Sequence, residues 1–132
     1  MRSNGAMKRW QLLFAVSAVF NWGVGLMLLF APGTFVATIG YPAPSDFLFV
    51  RVSGLLIACL GVCYALIAWA PLRMRPLALL GAVGKIGAVT LFGAYWIAGV
   101  LPFPGFALAL GDLGFAAAFL AFLGAVPAER AA

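Results

Sequence analysis

Polar residues are gathered into a few short stretches of the chain, and the segments between them are almost wholly apolar. Four such segments run over residues 10–30, 47–70, 76–99 and 105–126. Each has the roughly 20 residues a helix needs to cross a hydrocarbon layer of about 30 Å. They are punctuated by Ala31-Pro32-Gly33, Pro71 and Pro127, and Pro76 suits a first helical turn, where its missing N–H costs nothing. The runs are too long for strands, with turn-forming residues at their ends. The pattern therefore predicts an all-α chain: a single transmembrane domain over residues 1–132, built as an integral membrane four-helix bundle. Short connections predict that sequential helices pack as antiparallel neighbours. In the longest connection, Phe35, Val36 and Ile39 fall on one side of a helical turn. They predict a short interfacial helix broken by Gly40-Tyr41-Pro42. Residues 1–9 and the 128–132 tail read as frayed ends.

Composition agrees with lipid as the solvent. Of the 132 residues 66% are hydrophobic and 8% charged, against about 45–50% and about 25% in soluble domains. Charge adds an orientation. Arg2, Lys8, Arg9, Arg73, Arg75 and Arg130 all fall on the side of the chain termini and the middle turn. That places both ends in the cytoplasm by the positive-inside rule, in a multi-pass protein of the inner (plasma) membrane. Trp10 and Trp69 suit the inner interface, and Tyr41, Tyr95 and Trp96 the outer one. The first apolar run exceeds a signal-peptide core and lacks a cleavage site, so it reads as a retained helix. The basic residues form no stripe for nucleic acid.

Each apolar run carries one costly polar residue: Asn21, Arg51, Lys85 and Asp112. A charge at mid-bilayer costs about 2.5–3.5 kcal/mol on insertion scales, so such groups turn inward and pair. At about 1.5 Å per residue, Arg51 sits about 6 Å and Asp112 about 10 Å below the outer surface, with Lys85 near the midplane. Depth and sign predict an Arg51–Asp112 ion pair, with Lys85 as the surplus cation. For Lys85 three fates stay open: a neutral amine, bonding to Asn21 and backbone carbonyls, or holding an anionic or carbonyl-bearing ligand. Ser17 and Gly25 flank Asn21 by one turn; Gly54 and Ala58 share the face of Arg51, and Ala78, Gly81 and Phe92 that of Lys85. Small residues at those places predict close helix packing around one interior polar cluster. Trp22 and Phe92 are candidate cavity-lining residues.

Catalytic readings fail on chemistry. The chain has no His, so Ser17, Ser45 and Ser53 lack an activating base and no metal site can form from two thiols alone. Cys59 and Cys63 are spaced i, i+4 rather than as a redox C-x-x-C, and read as small core residues. Gly81-x-x-Gly84-x-x-Gly87 has no preceding strand and reads as packing rather than a phosphate loop.

The chain resembles the DoxX-like group of small bacterial four-helix membrane proteins. The resemblance rests on Asn21 with Gly23 and Gly25, Ala31-Pro32, Arg51-x-x-Gly54, Gly84-Lys85 and Gly111-Asp112, and spans nearly the whole sequence. The name-giving member is a subunit of a membrane thiosulfate:quinone oxidoreductase. The resemblance therefore implies an accessory or structural protein associated with a quinone-linked complex, and it carries over no catalytic residue. The other reading is a carrier or binding protein for a lipid, quinone or small anion at the Asn21/Arg51/Lys85/Asp112 cluster. An enzyme acting alone has no motif behind it. No motif demands a cofactor. The expected partners are the bilayer, and either a membrane-complex subunit or a second copy of the chain. Small multidrug exporters need a carboxylate in the first helix, where only Asn21 stands, and fluoride channels need a Thr/Phe-rich break that the third helix lacks.

Overall fold

In the computed structural model, which describes residues 4–128, the chain folds into five helices and, among the described residues, no strand. They are α1 (Asn4–Phe30), α2 (Pro32–Thr38), α3 (Leu48–Trp69), α4 (Arg75–Ile97) and α5 (Phe103–Ala125). All but α2 are long and apolar enough to span a membrane. The short α2 sits where Phe35, Val36 and Ile39 predict it, with Pro32 opening it. Helix α1 begins at Asn4, so residues 4–9 are helical rather than frayed; the expected fraying of 1–3 and 129–132 lies outside the described residues. Helices α2 and α4 end in the same way. Gly40 (φ 72°) and Gly99 (φ 76°) take the left-handed conformation. The amides of Gly40 and Tyr41 then return to the Ala37 and Val36 carbonyls, and those of Gly99 and Val100 to the Trp96 and Tyr95 carbonyls. A side chain at either glycine would be strained, which is why glycine ends both helices.

The long helices associate as two antiparallel pairs. In the first, α1 lies along α3 at backbone contact. A Cβ on Gly25 would fall 2.7 Å from the Gly54 carbonyl oxygen, and one on Gly54 2.6 Å from that of Gly25. Gly61 admits the indole of Trp22 in the same way, and Gln11 donates to the Ala68 carbonyl at 2.9 Å. Between lipid-solvated helices attraction comes from such close packing rather than from expulsion of water. In the second pair, α4 lies along α5. At one end Arg75 donates to the Val126 and Leu123 carbonyls at 2.6 Å, satisfying groups the end of α5 leaves open. At the other, Trp96 stacks on Phe106 with 4.5 Å between centroids.

The pairs meet mainly at the end that holds the chain termini, here the terminal end. There Phe14 stacks on Phe119 at 4.8 Å and meets Phe122 edge-on at 4.9 Å. Tyr64 packs against Phe119 at 5.0 Å and over Gly81 of α4. Ala18, Ile67, Ala78 and Ala82 complete a fully enclosed core. Sequential packing is thus uneven: α3 and α4 do not run together along their length as the short-loop argument predicts. The aromatic rings hold the pairs together at the terminal end and leave them apart toward the other, the α2 end.

Candidate functional site

The separation of the two pairs leaves a cavity of about 460 Å³ in the half of the molecule toward α2. Its walls are apolar side chains of all five helices, among them Val24, Leu28, Ile57, Leu91 and Leu108. Helix α2 lies across its outer end with Phe35, Val36 and Ile39 turned into it, the first two buried. At its floor, where the aromatic core begins, stand Asn21, Tyr64, Lys85 and Asp112.

Lys85 is the centre of the floor. Its ammonium donates to Asp112 Oδ1 at 2.6 Å and to Asn21 Oδ1 at 3.2 Å. The Asn21 amide in turn donates to the Ile57 carbonyl at 3.2 Å, so one polar chain ties α5 to α4, α1 and α3. The rings of Phe20, Tyr64 and Phe115 surround the ammonium at 5.1–5.5 Å, within the range of cation–π attraction. Lys85 is 6% exposed and Asp112 23%, so the pair is buried with only its carboxylate reaching open space.

This corrects the predicted Arg51–Asp112 pair. Helices α4 and α5 are each 23 residues long, or about 34 Å. Lys85 lies about 15 Å from the start of one and Asp112 about 14 Å from the start of the other, so in an antiparallel pair they meet mid-span. Arg51 lies only about 5 Å into α3. It is exposed, and donates to the Leu29 carbonyl at 2.7 Å in the last turn of α1. That carbonyl is among those a helix leaves unpaired at its negative end, a good partner for a guanidinium. Three of the four predicted polar residues therefore come together, and Arg51 stays outside.

Other expectations divide similarly. Phe92 lines the cavity, but Trp22 does not: its indole lies over Gly61 on the α1–α3 seam. Cys59 is exposed and Cys63 half-buried, both free thiols, so they are not core residues. Within the Gly81-x-x-Gly84-x-x-Gly87 run of α4, Gly81 packs against Tyr64, whereas Gly84 and Gly87 face open space. Tyr64 is the residue that sequence reasoning passes over. It is fully buried, it borders the cavity, and its hydroxyl has no hydrogen-bond partner among the described residues. One signal marks it: Ser53, Ile57, Leu60 and Tyr64 fall on one helical stripe, which sets the phenol about a turn and a half inside the belt position of Trp69. Among the described residues there is no group of His, Cys, Asp and Glu able to hold a metal.

The arrangement can hold a molecule with an apolar body and one small polar head. Lysine has three N–H donors and spends two on protein partners here. The Asp112 carboxylate, the more open member of the pair, offers an acceptor. Comparison with protein-family models, with curated proteins and with solved structures finds no match to this chain.

Proposed function

We propose that the protein is a membrane-embedded binding or carrier protein for an uncharged, single-headed lipid-like molecule, of which an isoprenoid quinone is the type. The observation that carries this reading is the apolar cavity ending on a polar floor whose charges cancel. A surplus cation would have favoured an anion; with Asp112 against Lys85 at 2.6 Å, a carbonyl or hydroxyl head is the better match. The volume lies within the range of small-molecule sites, about 300–1,000 Å³. The same reading keeps the DoxX-like resemblance and a bacterial inner-membrane location as parts of the proposal. It takes both chain ends as cytoplasmic, on the distribution of Arg and Lys.

Native mass spectrometry of protein purified in mild detergent tests the reading, before and after incubation with decylubiquinone or monoolein. The expected result is stoichiometric cargo in the wild type. It should be lost in Ala88→Phe, which fills the cavity and leaves the floor intact, and in Lys85→Met/Asp112→Leu, which removes the polar head site as a neutral pair. An empty wild type that also takes up neither probe overturns the reading. A soluble oxidoreductase co-purifying with an empty protein would put the accessory-subunit role in its place.

A further inference from the structure

The cavity must be entered from somewhere, and its walls differ in how they meet the surroundings. Toward the terminal end it stops on the closed aromatic core, where Phe14, Tyr64 and Phe119 are fully buried. Toward the other end α2 crosses it. A Cβ on Gly40 would lie 3.1 Å from the Pro102 ring, so the end of α2 is seated against the α4–α5 connection. On the α1–α5 side the lining residues Phe20, Val24, Leu108 and Asp112 are all at least half-covered. The α3–α4 side is different. At the α2 end the lining residue Tyr41 is exposed by 37%, whereas on the α3–α4 side Ser53, Gly84 and Leu91 all line the cavity and are exposed, Leu91 by 63%. The surface around this slot is apolar, with Leu56, Val83 and Ile86 exposed beside it, so the slot opens into the band that lipid covers.

We infer that the cavity is loaded sideways from within the bilayer, through the slot between α3 and α4 bordered by Ser53, Gly84 and Leu91. This rests on the binding reading above and adds the route. It selects ligands dissolved in the membrane over solutes in water. It also confines loading and unloading to the half of the bilayer on the α2 side, because the aromatic core closes the other half. Gly84 sets the width of the slot. A Cβ there meets nothing within 4 Å, so a larger side chain fits without disturbing the fold and projects into the opening.

The test separates route from binding. Protein in phosphatidylcholine nanodiscs is loaded with decylubiquinone and chased with its deuterated form, and the bound species is followed by mass spectrometry. Gly84→Leu should slow loading and chase together by about tenfold or more, because a portal alters entry and exit alike whereas ordinary interface changes act mostly on release. Gly87→Leu is the control: Gly87 also faces open space on α4 but does not line the cavity, and its exchange should match the wild type. Leu91→Ala should speed exchange, and Tyr41→Ala, at the α2 end, should not. Occupancy with unchanged exchange in both Gly84→Leu and Leu91→Ala overturns the lateral route and leaves the binding reading standing. Faster exchange in Tyr41→Ala alone would move the entrance to the α2 end. No occupancy in the wild type overturns the binding reading and the route together.

Discussion

The two ends of the molecule are made by the same four long helices and are packed in opposite ways. At the terminal end Phe14, Tyr64, Ile67, Phe119, Phe122 and Val126 have no exposed surface, and ring stacks fill the space between the helix pairs. At the α2 end the pairs separate, and apolar side chains face one another across a cavity. In lipid there is no strong penalty for this, because helices gain little from burying apolar surface away from chains that are apolar themselves. What holds each end is therefore different. Close packing and ring geometry hold the terminal end. The α2 end is held by glycine contact within α1–α3, by the Trp96–Phe106 stack within α4–α5, and by α2 across the top. Between them the Lys85–Asp112–Asn21 chain sits at the boundary and links all four long helices.

The largest effect should come from breaking that boundary. Asp112→Asn leaves the Lys85 ammonium buried without its countercharge. Breaking one partner of a buried pair costs about 3–5 kcal/mol, whereas replacing both with apolar groups is often neutral. Unfolding in a detergent series should show a loss of this size for Asp112→Asn, a comparable loss for Lys85→Met, and recovery of most of it in Lys85→Met/Asp112→Leu. Additive losses in the double variant would mean the two residues do not act as a pair.

Truncations at the two ends should then differ. Phe119 stacks on Phe14 and touches Tyr64 and Phe115, so Phe119→Ala opens a hole in a close-packed region and should cost about 3 kcal/mol or more. Phe92 borders the cavity. Phe92→Ala removes a ring of equal size, but one with few neighbouring atoms on its cavity side. It should cost about 1 kcal/mol or less, since dispersion attraction is forfeited only where partner atoms were present. Equal destabilisation by the two truncations, measured in the same detergent series, would mean that the α2 end is as tightly packed as the terminal end.

Much of this was legible in the sequence because the bilayer restricts what a chain can do. The lengths of the apolar runs and the prolines that punctuate them lead directly to four long helices, and Phe35, Val36 and Ile39 to α2. Asn21, Lys85 and Asp112 stood out because each is costly inside an apolar run. Their pairing was not legible from depth alone. The start of α5 at Phe103 rather than Gly105 moves Asp112 a further 3 Å or so inward, and the face of Arg51 depends on which helix α3 lies against. Trp22 shows the same limit: helical spacing put it beside Asn21, but only the approach of Gly61 decides that it leaves the cavity and covers a seam. The cavity itself follows from where the helix pairs diverge, which depends on ring packing at the opposite end, a long-range property that periodicity does not carry.

Arg51 sharpens the comparison from outside the cluster, and its expected effect is the smallest. Depth and sign alone assigned it the role that Lys85 holds, so its removal distinguishes a core charge from a peripheral one. Arg51 is exposed, in the first turn and a half of α3, and its guanidinium donates to the Leu29 carbonyl at 2.7 Å. Arg51→Gln keeps a donor of shorter reach and leaves no buried charge unpaired. The loss is that of one hydrogen bond from a cation to the open end of a helix, about 1 kcal/mol or less at an exposed position. The loss should also be independent of Asp112: adding Arg51→Gln to Asp112→Asn should change stability by the sum of the two single effects, as unconnected sites do. A coupling above about 0.5 kcal/mol between these two positions would return Asp112 to Arg51 and remove the basis for a charge-neutral floor. Additivity there, with strong coupling between Lys85 and Asp112, would assign the cavity's polar floor to Asn21, Lys85 and Asp112 and leave Arg51 to hold the end of α1 against α3.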